Sequence, residues 1–310
     1  MIALLDVVLP VAMVIFAGFL AVRTGYVPDR HLDALMSFAQ QVAIPCLLFR
    51  ATMTLDFGAV FDPRLLISFY TGATISFFLG ILGARLIFKR RPGEAVAIGF
   101  GALFSNSVIF GLPIVERAFG ADALAATFAI IAIHAPFCYF LGITVMEISR
   151  ADGRGFLGTA RAVLNGMLRN ALMIGIALGF LVNFSGQTLP DTALSALDMI
   201  VSAALPTALF AVGGVLTRYR LTANLGEVAM VAGLSLILHP AIAYTLSAGV
   251  FRLQPAFVEA ATLTAAMAPG VNTYVFAALY NRGEALAAAT VLVATCVSLA
   301  TVSIWLSLLA

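Results

Sequence analysis

Apolar residues run through this chain in stretches of about twenty, the length an α-helix needs to cross the hydrocarbon core of a bilayer. Such runs occur at 2–22, 32–52, 64–88, 95–115, 123–147, 169–187, 193–217, 227–251, 256–280 and 284–309, divided by short loops holding Gly, Pro, Asp and Arg. The pattern predicts an all-α integral membrane protein of about ten transmembrane helices. Two runs are interrupted at mid-span by polar and helix-breaking residues. The fourth holds Ser105-Asn106-Ser107 with Gly111 and Pro113, and the ninth holds Pro269-Gly270 with Asn272-Thr273. Backbone at membrane depth leaves the helix only where protein or a water-filled cavity satisfies its freed N–H and C=O groups. Interruptions at matching places of two halves are a sequence sign of a binding site at the bilayer midplane.

Composition agrees and excludes other classes. Hydrophobic residues make up 62% and charged residues 10%, and the mean hydropathy is +1.06, whereas soluble domains carry about a quarter charged residues. A net charge of +2 without a basic stripe argues against nucleic acid as a partner. The first run carries Asp6 where a signal peptide would be basic, and it reads as a retained span. Cys46, Cys138 and Cys296 sit singly within apolar runs without metal-ligand spacing, as small core residues do. No metal and no cofactor is expected.

Basic residues set the orientation. With the N-terminus outside, Arg23, Arg30, Arg85, Lys89, Arg90, Arg91, Arg150, Arg154, Arg161, Arg169, Arg218, Arg220 and Arg282 fall on inner loops, against Arg50, Arg64, Arg117 and Arg252 outside. That asymmetry follows the positive-inside rule and predicts that both termini face outside.

The longest polar connection separates two sets of five spans: 1–150 as a first repeat, 151–168 as a cytoplasmic connection and 169–310 as a second repeat. Five is odd, so a duplicated unit inserts its second copy upside down. Ala43-Ile44-Pro45-Cys46-Leu47-Leu48-Phe49 in the second span is similar to Ala204-Leu205-Pro206-Thr207-Ala208-Leu209-Phe210 in the seventh, about half the chain away. The interrupted fourth and ninth spans then occupy equivalent positions, as in inverted-repeat secondary transporters.

The interruptions suit a small anion. Ser, Thr and Asn side chains cap helix starts, and a half-helix beginning near Ser105–Ser107 or Asn272–Thr273 aims its partial positive end into a cavity. No Lys or Arg lies near the middle of a span, so a bound carboxylate is met by N–H groups and polar side chains. The competing explanation is that these prolines and glycines only kink packed helices, as is common in membranes; two breaks at equivalent positions, each with an asparagine, favour a site. Candidate substrate-binding residues are Ser105, Asn106, Ser107, Pro113, Pro269, Gly270, Asn272 and Thr273, with Pro45, Gln41 and Pro206 from the second and seventh spans. Gln40 and Gln41 serve equally as interhelical hydrogen-bonding groups.

Ion coupling is less legible. Asp6, Glu116, Glu147, Asp198 and Glu259 lie near span ends, so there is no buried acid relay. His134 and His239 are the mid-span side chains that titrate near neutral pH, and with Asn106 they are the candidates for H⁺ or Na⁺ coupling. A neutral histidine donating to a neighbouring carbonyl is the plainer role, above all for His239 beside Pro240.

Leu9-Pro10 followed by Gly18-Phe19-Leu20, Ile44-Pro45-Cys46-Leu47-Leu48-Phe49-Arg50, Phe104-Ser105-Asn106-Ser107 with Gly111-Leu112-Pro113, Leu205-Pro206-Thr207-Ala208-Leu209-Phe210 with Gly213-Gly214, His239-Pro240, and Val271-Asn272-Thr273-Tyr274-Val275-Phe276-Ala277 occur in one order along the chain. Together they resemble the auxin efflux carrier family, over essentially the whole length. The resemblance implies the bacterial branch, which includes malonate and related organic-acid carriers. It also implies a fold similar to bile-acid sodium symporters: two inverted five-helix repeats, the fourth and ninth spans crossing as broken helices in a mobile domain, and the first, second, sixth and seventh forming a scaffold. Two departures stand out: Ala171 follows Asn170 where many relatives have Asn-Pro, and the ninth span reads Ala268-Pro269-Gly270.

The expected function is a secondary transporter of a small organic anion, malonate-like or an auxin-like weak acid. The alternative is a receptor of the same fold that binds ligand without turnover. An intramembrane enzyme would need a nucleophile–base pair or a metal cluster, and neither His-Glu-x-x-His nor Gly-x-Ser-x-Gly is present. The expected partners are the anion and the lipid bilayer, with a homodimer left open.

Overall fold

Each run read as a span contains helix in the computed structural model, which describes residues 2–55, 61–150, 171–218 and 224–309. The connection 151–168, with Arg154 and Arg161, lies outside the described residues, as do Asn170, Arg169 and Arg220. In chain order the helices are α1 (Ile2–Arg23), α2 (Asp29–Met53), α3 (Pro63–Leu86), α4 (Pro92–Leu103), α5 (Ser107–Gly111 continuing through Leu112–Phe119) and α6 (Ala121–Arg150). They continue with α7 (Ala171–Ser185), α8 (Asp191–Leu216), α9 (Leu225–Val250), α10 (Pro255–Ala265), α11 (Val271–Leu279) and α12 (Glu284–Leu309). Six of these, α2, α3, α6, α8, α9 and α12, are long and apolar enough to cross a membrane by themselves among the described residues. The breaks leave α4, α5, α10 and α11 too short to do so singly.

Proline placement explains the local geometry. Pro63, Pro92 and Pro255 each open a helix, where the missing N–H has no partner to lose. Pro45, Pro113 and Pro240 fall inside helical runs, and the turn just before each of them is widened to a π-turn: Ala39–Ala43, Ser107–Gly111 and Leu234–Leu238. A proline ring clashes with the carbonyl four residues back, and a widened turn takes that carbonyl out of the way.

The chain divides into two compact units, each drawing on both halves of the sequence. One gathers the described residues 2–8, 62–150 and 224–309 and therefore holds both interrupted helices. In it α3 and α4 approach at Gly80 and Gly99, where a methyl group on Gly80 would come within 2.9 Å of the Gly99 Cα. Trp305 on α12 donates its indole N–H to the Leu236 carbonyl on α9 at 3.0 Å.

A bidentate pair ties the α3–α4 loop of this unit to the start of α9. Arg90 meets Glu227 at 2.6 and 2.7 Å, and this hydrogen bonding holds the guanidinium further above its ordinary range. Glu227 is fully buried while Arg90 keeps 40% of its side chain in contact with solvent. Removing Arg90 strands a buried carboxylate, whereas removing the charge of Glu227 does not. Arg90→Ala is therefore expected to destabilise the protein by about 3 kcal/mol and Glu227→Gln by clearly less, compared by thermal unfolding in detergent. Equal losses in the two variants would contradict this account.

The other unit gathers 9–55, 61 and 171–218, which are the runs read as first, second, sixth and seventh spans. Glycine sets its close approaches. Gly18 of α1 lies against the backbone of Phe210 on α8, and Gly213 of α8 against the backbone of Ile15. Gly175 and Gly179 of α7 lie against Pro45 and against Phe49 with Thr52 on α2. Small residues at such crossings let backbones pack where no hydrophobic force separates helix from lipid. Asn183 donates to the carbonyls of Thr52, Met53 and Leu55 at 3.2, 3.1 and 2.9 Å, satisfying the end of α2. Arg218 closes the opposite end of α2 through Asp29 and Asp33 at 2.7 and 2.6 Å.

Candidate functional site

The first break begins where α4 ends at Leu103. Phe104 is extended, and Asn106 has φ −79° and ψ 61° before the chain turns back into helix at Ser107. Asn106 caps the new helix twice over. Its side-chain oxygen accepts from Ile109 N at 3.3 Å, and its carbonyl accepts from Phe110 N and Gly111 N at 3.2 and 3.1 Å. The hydroxyls of Ser105 and Ser107 bond each other at 2.9 Å. Ser105, Asn106 and Ser107 are 1%, 8% and 1% exposed, so these polar groups lie inside the protein. Pro113, two residues past the π-turn, is buried in α5.

The second break runs from Ala266 to Gly270, between α10 and α11. Ser105 and Pro269 form a single antiparallel bridge, and Asn106 N donates to the Ala268 carbonyl at 2.9 Å. The two interruptions thus satisfy each other backbone to backbone. Gly270 is the residue that permits this approach: a methyl group there would sit 3.1 Å from the Asn106 side-chain carbon Cγ. Both half-helices start at the crossing, α5 from Ser107 and α11 from Val271, and first-turn amides of a helix have no intrahelical partner. Their partial positive charge therefore gathers at one place.

The asparagines play different parts. Asn106 is the cap of α5, but α11 is preceded by an extended Gly270, and Asn272 lies inside its first turn. Asn272 accepts instead from the Tyr139 hydroxyl at 3.0 Å, and it is only partly buried. Thr273 is 1% exposed. Its hydroxyl has no partner among the described residues, nor do those of Thr262, Thr264 and Thr295.

Aromatic rings wall the crossing. Phe100 of α4 stacks on Phe276 of α11 at 3.9 Å between centroids, and Tyr139 lies against Phe100 and Phe104 at 5.6 and 5.7 Å. Tyr139 was not singled out in the sequence, because nothing local to 139 reveals that it faces residue 272. His134 meets the Ser105 carbonyl at 3.1 Å, and His239 meets the Phe69 carbonyl at 3.1 Å with the Phe69 ring beside it at 4.8 Å. A carbonyl only accepts, so each histidine presents Nε2–H there. Glu227 is the buried carboxylate among the described residues, and it lies at the start of α9. Pro45, Gln41 and Pro206 belong to the other unit, where Pro45 is buried while Gln41 and Pro206 are exposed.

Apolar helices, six of them of spanning length among the described residues, make this a multi-pass membrane protein. The chain belongs to the family described as "Membrane transport protein", whose model matches residues 3–306, and which is the auxin efflux carrier family its motifs resemble. It is similar to a Rhizobium meliloti protein named "Putative malonate transporter", 28% identical over 303 residues, covering 96% of this chain and 92% of that protein. A Methanocaldococcus jannaschii protein named as an uncharacterized transporter is 23% identical over 313 residues, covering 97% of both.

Proposed function

We propose that this membrane transporter is a secondary active carrier of a small organic anion, a malonate-like dicarboxylate or an auxin-like weak acid, which it binds where the two interrupted helices cross. The observation that carries the proposal is the backbone pairing of Ser105 with Pro269, because it brings two helix N-termini together. The positive ends of two helices and the unpartnered Thr273 hydroxyl attract a carboxylate without a fixed positive side chain. Ser105, Asn106, Ser107, Pro113, Pro269, Gly270, Asn272 and Thr273 form the proposed site. Burial of Ser105, Asn106 and Thr273 means that a solute reaches them only when part of the protein moves, which supports alternating access. The relative named for malonate supports the substrate class.

The same proposal takes the ten helical runs as two inverted five-helix repeats, 1–150 and 169–310, in a bacterial cytoplasmic membrane with both termini outside. The inner loops then carry Arg23, Arg30, Arg85, Lys89, Arg90, Arg91, Arg150, Arg154, Arg161, Arg169, Arg218, Arg220 and Arg282. H⁺ or Na⁺ supplies the driving force, with His134, His239 and Asn106 as the groups to test.

Liposomes containing the purified protein test this directly. Labelled malonate is expected to accumulate saturably under an imposed H⁺ or Na⁺ gradient and to leave when the gradient is collapsed. Saturable binding without accumulation would replace the carrier with a receptor. Absence of both, for malonate and for a panel of short mono- and dicarboxylates, would overturn the substrate class.

A further inference from the structure

A break in a helix frees carbonyl groups that the next turn would have bonded, and two of those freed at the first break are met from one face of α6. His134 and Cys138 lie four residues apart on that helix, so their side chains share a face. His134 Nε2 is 3.1 Å from the Ser105 carbonyl oxygen, and Cys138 Sγ is 3.8 Å from the Leu103 carbonyl oxygen. With Nε2 carrying the hydrogen, His134 Nδ1 is an acceptor, and Cys138 Sγ stands 3.7 Å from it. The thiol hydrogen thus has two weak acceptors in reach, Nδ1 and the Leu103 carbonyl. Both residues are buried, and the rings of Phe104, Phe69 and Tyr70 surround the imidazole at 4.7, 5.5 and 6.3 Å. Tyr70 does not compete for Ser105, because its hydroxyl donates to the Ile130 carbonyl at 2.8 Å.

The Ser105 carbonyl and the Asn106 N–H belong to one planar peptide unit. That unit is held at both ends, its oxygen by His134 on α6 and its N–H by the Ala268 carbonyl of the second break. Turning the oxygen away from His134 turns the N–H away from Ala268. We propose that His134, backed by Cys138, is a positioning residue: by holding the Ser105 carbonyl it orients the peptide unit that joins the two interrupted helices. The same oxygen accepts from Ser107 N at 2.9 Å, so the hold extends into the first turn of α5. This role is that of a hydrogen-bond donor with a fixed proton, and glutamine, whose amide N–H₂ reaches about as far, is able to fill it.

Amide hydrogen exchange on the purified protein reads this without any substrate, so the outcome does not depend on which anion is carried. In His134→Leu the segment 104–111 is expected to exchange about tenfold faster, since a buried carbonyl has lost its donor, while α12 keeps its protection. In His134→Gln the segment is expected to stay within about threefold of the parent. Parent-like exchange in His134→Leu, or exchange in His134→Gln as fast as in the leucine variant, would overturn the proposal. So would a pH profile of uptake that His134→Gln abolishes. Should the leucine variant fail to fold, the glutamine variant decides alone: rapid exchange in 104–111 with α12 still protected refutes a donor role.

Discussion

Uptake by the Asn106→Ala protein is expected to fall at least about tenfold with the fold retained. The alanine removes the side-chain cap on Ile109 N, a loss of roughly 0.5–2 kcal/mol at a helix start. It also removes the amide that packs on Gly270 beneath the crossing. At about 1.4 kcal/mol per tenfold change, a cap that orients the binding amides accounts for an effect of that size. Asn106→Ser keeps an acceptor of the right kind and is expected to recover much of the loss. Asn272→Ala is expected to lower uptake through a different contact, since its partner is the Tyr139 hydroxyl. Tyr139→Phe then reproduces the Asn272 effect, and the double variant is no worse than either single one, as residues acting through one bond behave in a double-mutant cycle. Undiminished uptake in both Asn106→Ala and Asn272→Ala would remove the crossing as the binding site.

The largest effect on folding is expected at Gly213. A Cβ there would run into the carbonyl of Ile15 on α1, and the reciprocal contact sets Gly18 against the Phe210 carbonyl. Backbone atoms at such a crossing have no rotamer by which to yield, so Gly213→Leu drives α1 and α8 apart along their whole contact. Overpacking costs typically 1–3 kcal/mol even where side chains can adjust. Here the obstacle is backbone, and loss of the folded protein in detergent is expected. Gly233 and Gly249 supply the control, because nothing lies within 4 Å of a Cβ built at either. Gly233→Ala is expected to elute as a single symmetric peak on size exclusion, with an unchanged melting temperature. A Gly213→Leu protein that elutes and melts like the parent would show that the α1–α8 approach is not needed.

The two predictions draw on features that differ in how far the sequence revealed them. The helices themselves were legible. Long apolar runs and opening prolines are local signals, and α3, α8 and α12 fall within a few residues of the runs drawn at 64–88, 193–217 and 284–309. The breaks were legible too, since Ser-Asn-Ser before Gly111 and Pro113, and Pro269-Gly270, are poor continuations of any helix. Less legible was the exact start of α11. Asn272 and Thr273 look like caps, but Gly270 is extended and the helix begins at Val271, leaving Asn272 free to meet Tyr139. The π-turns before Pro45, Pro113 and Pro240 were not foreseen either, because Pro10, Pro136 and Pro206 also lie inside helices and no such turn precedes them.

By itself the sequence determined that this chain lives in a membrane, roughly where its helices run, which two of them are interrupted, and which family it resembles. These follow from hydropathy, from prolines and glycines, and from short motifs, all of which act over a few residues. Only the tertiary structure decided that the two interruptions bond each other, that His134 and Cys138 on α6 meet carbonyls of the first break, and that Tyr139 serves Asn272. Each of those joins groups far apart in the chain. A freed backbone group in an apolar interior must find a partner, but which partner it finds depends on the helices that pack beside it.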